Sequence, residues 1–223
     1  MKPGFCLIFF NVKTAIPNAV HLNLGHAYKN IVSVCDLDAS LAAYQRSLDL
    51  HNEGDVLGRS ACLHQIGRVE HDRFNEARQR LVPPETLAQL AKRAESYYLD
   101  ALALCPKTAL TDLGPIHNQL GNLYKDLGRI EAVREHYEKC VQLAEQTDDR
   151  YGAGGTRHNL SLLYEAAAQQ QTGLAQQALL QRALAYAQAA LRDFQTYQGR
   201  ATDWEANAQQ LIDRIKQRLT GDA

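Results

Sequence analysis

The chain has 223 residues, with 24 lysines and arginines against 25 acidic residues and a formal net charge of −1. That balance leaves no support for a nucleic-acid binder driven by bulk charge. A hydrophobic fraction of 45% excludes a chain disordered by composition. Only 6 prolines and 14 glycines, with abundant alanine, leucine and glutamine and few β-branched residues, point to helices nearly throughout.

Residues 5–10, FCLIFF, follow Lys2 and are broken off by Asn11 and Lys13 without a small-x-small cleavage pattern. This stretch reads as a terminal apolar segment, 1–17, rather than a secretory leader. No run approaches the roughly 18 apolar residues of a membrane span. The following periodicity predicts helices at 18–32 and 38–50, 55–74 and 85–104, 112–127 and 130–146, and 155–168 and 174–196, with a last helix at 203–219. Pro83 and Pro84 mark the safest break, because proline is excluded from helix interiors. Gly128 suits a left-handed helix end, and GAGG at 152–155 reads as a flexible turn before a helix. The expected organisation is therefore four irregular helix pairs (18–50, 55–104, 112–146 and 155–198) within 18–200. A capping helix and tail occupy 201–223.

The pairs resemble one another. LNLGHAY (22–28), LHQIGRV (63–69), NQLGNLY (118–124) and HNLSLLY (158–164) each carry an apolar residue followed by Gly or Ser. The anchors Gly25, Gly67, Gly121 and Ser161 are 42, 54 and 40 residues apart. A second signature follows in AYQRSL (43–48), YYLDAL (97–102), HYEKCV (136–141) and YAQAAL (186–191). A small residue in one helix lets a neighbour approach closely, and large residues three and four away fill the adjoining space. Tyr28, Tyr124 and Tyr164 add an apolar ring with a hydroxyl for a polar edge.

On these residues the chain resembles the tetratricopeptide repeat (TPR) family. The third unit carries it most fully, through Leu120, Gly121, Tyr124, Gly128, Tyr137 and Cys140. The first unit matches through Leu24, Gly25, Tyr28, Tyr44, Ser47 and Leu48, and the second through Ile66, Gly67, Ala94, Tyr98, Ala101 and Leu102. The fourth matches through Leu160, Ser161, Tyr164, Ala183, Ala190 and Leu191. The family's repeat is about 34 residues, and all three anchor spacings exceed it. The extra length falls around 33–38, 74–90 and 169–177, between the helices of a pair. The resemblance implies an all-α, right-handed superhelical solenoid of antiparallel helix pairs, similar to the arrays of bacterial regulatory and signalling proteins.

Single, widely spaced cysteines (Cys6, Cys35, Cys62, Cys105 and Cys140) without a CxxC pair predict a reducing compartment, taken as cytoplasmic, and small apolar packing roles. No phosphate loop, HExxH or G-x-S-x-G pattern is present, so the chain reads as a non-enzyme without cofactor or metal. His136 and Cys140 share a helix face but lack a third ligand. His64, Glu70, His71 and Asp72 read as solvated helix surface.

Stacked pairs curve, and the first helix of each pair lines the concave face. Residues flanking the anchors are therefore the candidate peptide-binding set: His26, Lys29, His64, Arg68, Asn118, Asn122, Lys125 and His158. Asn118 and Asn122 are four apart and suit a clamp on a peptide backbone, while Lys29, Arg68 and Lys125 attract an acidic segment. Some family members hold a partner's terminal carboxylate with such residues, but the complete pattern is not present here. The function expected is a protein- or peptide-binding scaffold in regulation or assembly, with no nucleic-acid or membrane partner. The alternatives are a self-associating structural module, forming homo-oligomers through residues 5–10, or the sensor fragment of a larger signalling protein.

Overall fold

Side-chain caps set several of the helix starts. The Asp36 carboxylate accepts the backbone N–H groups of Asp38 and Ala39, both at 2.9 Å. Asp55 accepts Gly58 N–H and Asp149 accepts Gly152 N–H, each at 2.9 Å. Each bond satisfies a donor that the first helical turn leaves without an intrahelical partner. The computed structural model describes residues 18–30 and 36–221. The apolar segment within 1–17, Cys6, Cys35 and most of the 33–38 lengthening lie outside the described residues.

Among the described residues there are nine helices and no strand. They are α1 (Asn18–Asn30), α2 (Leu37–Leu50), α3 (Val56–Gln79), α4 (Pro84–Leu104) and α5 (Leu110–Asp126), then α6 (Ile130–Gln146), α7 (Arg150–Ala168), α8 (Gly173–Gln195) and α9 (Thr202–Thr220). Each odd helix from α1 to α7 packs chiefly on the even helix that follows it, and consecutive pairs stack through α2–α3, α4–α5 and α6–α7. Helix α9 lies against α8. The architecture is the all-α solenoid of helix pairs that the repeats predict. None of the described helices is long and apolar enough to cross a membrane.

The anchors explain the pairing. A Cβ built at Gly67 would lie 2.6 Å from Cδ1 of Tyr98, and one at Gly25 or Gly121 would overlap the ring of Tyr44 or Tyr137. All three tyrosine rings are fully buried. The fourth pair reverses the sizes. Ser161 replaces glycine, Ala187 stands where the ring would be, and Ser161 Oγ donates to the Ala183 carbonyl at 2.7 Å. Cys62, Cys105 and Cys140 are buried free thiols, in the packing role expected of them.

Two boundaries differ from the sequence reading. Residues 74–90 form longer helices, with only a short turn around Leu81, whose φ is 54° and whose side chain points to solvent. Phe74, Leu90 and Ala91 bury one another there, with Leu127 against them, so apolar contact carries α3 past its expected stop at 74, while α4 starts at the expected break. Helix α7 starts at Arg150, which places GAGG inside the helix. The Asp149 cap and the close seating of Gly154 on Phe194 outweigh glycine's weak helix propensity.

The glycines therefore separate into two classes. Gly121→Ala is expected to destabilise the fold by roughly 1–3 kcal/mol through overpacking on Tyr137. Gly155 is helical with nothing near its missing Cβ, so Gly155→Ala is expected to stabilise by about 0.5–1 kcal/mol. Urea denaturation of the two variants beside the parent chain checks both signs.

Candidate functional site

The second-helix tyrosines point their hydroxyls back at the first helix. The residues that follow the anchors are His26, Arg68, Asn122 and Leu162, and the first and third of them meet that hydroxyl. In the first pair Tyr44 Oη lies 3.0 Å from His26 Nδ1. In the third pair Tyr137 Oη donates to Asn122 Oδ1 at 2.6 Å, and Asn122 Nδ2 donates to Asn118 Oδ1 at 3.3 Å. The fourth pair has Leu162 and no facing tyrosine.

The second pair breaks this pattern. Arg68 carries only donors and cannot accept the Tyr98 proton. Tyr98 is 0% exposed and its hydroxyl has no hydrogen-bond partner. His64 Nε2, on a ring whose centroid is 6.0 Å from that of Tyr98, is also buried without a partner. Arg68 donates to Gln65 Oε1 on its own helix at 3.2 Å and has no ion-pair partner among the described residues. Burial, followed by the positive charges of Arg68 and Lys29, drives the His64 pKa down to about 4, so the ring is neutral at pH 7. Burial holds the Tyr98 hydroxyl protonated far above its ordinary range.

Four of the eight sequence-predicted residues thus gather between α1 and α3. Lys29 pairs with Asp72 across the two helices, and Arg68 and Lys29 both lower the pKa of His26 after burial does. Asn118 and Asn122 form a second group on α5. Asn118 also lines a cavity of about 280 Å³ between α5, the end of α6 and the start of α7. Lys125 is exposed beside Asp126. His158 stands apart, its ring centroid 6.2 Å from that of Trp204, with Nδ1 buried and unpartnered.

One surface reading is corrected. Glu70 and His71 are 3% and 6% exposed, not solvated. Helix α3 is covered by α2, α4 and α5, and Glu70 and His71 are met from α4 and α5. Glu70 pairs with Arg73 and Arg93, each at 3.2 Å, and His71 Nε2 lies 2.8 Å from Asp126 Oδ2. Burial works against the Asp126 carboxylate, but the His71 hydrogen bond and Arg78 hold its pKa below the usual range. The residues that the sequence reading missed as polar groups are Tyr44, Tyr98 and Tyr137. Their place beside the glycine anchors marked them as packing rings, and nothing local shows where a hydroxyl ends up. His136 meets His117, with the two Nδ1 atoms 3.0 Å apart, and Cys140 meets Thr156, so the pair does not converge on one ligand. Among the described residues no three metal-ligating side chains gather.

Residues 114–147 match the tetratricopeptide repeat. That span holds α5 and α6, the pair that carries the fullest motif. No curated protein matches. Among solved structures, the chain is similar to the crystal structure of BtubC (BKLC) from P. vanneervenii, at 14% identity and a TM-score of 0.49. The likeness covers 95% of this chain and 92% of that one.

Buried neutral histidines make stability depend on pH. His64 and His117 both have folded-state pKa values near 4 against an ordinary 6.5. The unfolded chain therefore takes up protons first, and their contribution, whole above pH 6.5, is lost as pH falls toward 4. The urea midpoint is expected to fall across that window, and to fall less steeply in His64→Gln.

Proposed function

We propose that the chain is a protein- or peptide-binding scaffold in a regulatory or assembly role, and that the first-helix face of the second and third pairs receives the partner. One observation carries this reading. The Tyr98 hydroxyl and His64 Nε2 are buried and unpartnered next to an Arg68 guanidinium without a carboxylate, in the pair where the tyrosine-to-first-helix bond is missing. Tyr98 and Arg68 bring donors, and so does His64 in the tautomer that holds its proton on Nε2. An unmade buried hydrogen bond costs more than a made one contributes. A ligand carbonyl or carboxylate laid across α3 supplies the acceptor that the chain itself does not.

His26 and Lys29 flank that acceptor position from α1. Asn118, Asn122 and Lys125 extend the surface along α5, and His158 beside Trp204 offers a less polar end on α7 and α9. The array runs over 18–200 in four pairs, and α9 within 201–223 caps the last of them. The bidentate bond between Arg214 and Glu165, at 2.8 and 2.6 Å, fastens that cap. Buried free thiols fit a reducing, cytoplasmic setting, and the repeat pattern fits a bacterial regulator.

The test begins with peptides selected on the immobilised chain from a random display library. Affinity is then read by fluorescence polarisation. Tyr98→Phe is expected to leave folding stability unchanged or higher, because it removes an unpartnered hydroxyl. Tyr98→Phe and Arg68→Ala are each expected to weaken the selected peptides by about fivefold or more. Undiminished affinity in both variants, with helix content preserved by circular dichroism, removes the face from the proposal.

A further inference from the structure

A second cavity lies away from that face. It opens where α4 ends, α5 begins and the last turns of α6 pass, and its volume is about 560 Å³. That is within the roughly 300–1,000 Å³ of small-molecule sites. The turn from Cys105 to Ala109 separates α4 from α5 and leaves a niche at the joint between the second and third pairs. Leu110, Leu113 and Leu143 form its apolar wall. Leu143 is nearly completely buried, and Leu113 is half-buried against the main core.

The charged groups at the cavity all have one sign. Lys107 and Lys139 line it, and no carboxylate does. Neither lysine has an ion-pair partner among the described residues, and Lys139 Nζ donates to the neutral Gln142 Oε1 at 2.9 Å. The remaining titratable groups in the wall are Cys105, whose thiol burial pushes up and keeps uncharged, and His117. Its Nδ1 is held 3.0 Å from Nδ1 of His136. Burial, then His136 and Lys139, lowers its pKa to about 4, so it adds no charge at pH 7. In a chain whose charges nearly cancel, this niche is locally positive over an apolar floor.

We propose that this cavity binds a small amphiphilic carboxylate, a medium-chain alkyl acid, with the alkyl chain against Leu110, Leu113 and Leu143 and the carboxylate at Lys107 and Lys139. The leucines gain by excluding water from the chain. The two ammonium groups gain an anion and select against a cationic or neutral head. The bound acid ties the second pair to the third, so it stabilises the fold by mass action. None of the peptide-binding set lines this site.

The test titrates the full chain at pH 7.5 with octanoate, decanoate and decyltrimethylammonium, each below its micelle-forming concentration. Binding is read by calorimetry and by methyl resonances of the leucines. Decanoate is expected to saturate one site, shift Leu113 and Leu143, and raise Tm. Octanoate is expected to bind about fifteenfold more weakly, from about fourfold per methylene. The cationic analogue is expected not to shift those methyls. A double variant, Lys107→Glu with Lys139→Glu, alters only exposed side chains that have no ion-pair partner among the described residues, and so keeps its fold. It is expected to weaken decanoate by about tenfold or more. Equal binding of the cationic analogue, an affinity independent of chain length, or undiminished decanoate binding in the double variant overturns the assignment.

Discussion

The contact between a glycine in one helix and a tyrosine ring in the next sets the geometry of most of this molecule. At Gly25, Gly67 and Gly121 the rings of Tyr44, Tyr98 and Tyr137 occupy the space a side chain would need. The absent Cβ lets the two helices approach, and the ring fills the gap at interior density. Because a helix turns about 100° per residue, the residue after the glycine stands at the edge of the same contact. The hydroxyl at the far end of the ring therefore emerges beside that next residue. One packing rule thus delivers a polar atom to a fixed place in each of these three pairs, and the identity of one side chain decides whether it is satisfied.

That coupling makes the second pair different from its neighbours. His26 and Asn122 can both meet a tyrosine hydroxyl, whereas Arg68 cannot accept a proton. The exchange leaves the Tyr98 hydroxyl of α4 and Nε2 of His64 on α3 buried without a hydrogen-bond partner. The same helix also carries the densest charge pairing. Lys29–Asp72 ties it to α1, Arg73–Asp38 to α2, Arg93–Glu70 to α4 and His71–Asp126 to α5. Most of these pairs join a buried member to a more exposed one, and such pairs contribute little net stability, because screening and desolvation offset attraction. Their effect is to favour one register between α3 and its neighbours, which fixes the place of His64 and Arg68 on α3.

The two faces of the stack offer different chemistry for a related reason. On the first-helix side lie His26, Arg68 and the amides of Asn118 and Asn122, with the tyrosine rings buried behind them. At the joint of α4, α5 and α6, the turn after Cys105 spaces the helices and leaves leucines lining a niche with lysines at its edge. A solenoid built from pairs has such a joint between every two units, but only the local side chains give it a chemistry.

Much of the fold was legible without coordinates. The spacing of Gly25, Gly67, Gly121 and Ser161, with bulky and small residues in register behind them, is local information. Each helix pair is made by residues close in sequence. The Pro83–Pro84 break and the left-handed Gly128, with φ of 69°, are equally local. The sequence by itself determined the helices, their pairing and their repetition, because those depend on periodicity and on the size of a few side chains. It did not show that GAGG would be helical or that α3 would run to Gln79. Those ends are set by Phe194 and Leu90, which reach them only after folding. Nor did it show that Glu70 and His71 would be buried, since the groups that pair with them, Arg93 and Asp126, lie on other helices. The unpartnered Tyr98 hydroxyl and the lysine-edged niche were decided by the tertiary structure alone. Whether a polar atom finds a partner, or a cavity a charge, depends on which distant side chains arrive at the same place.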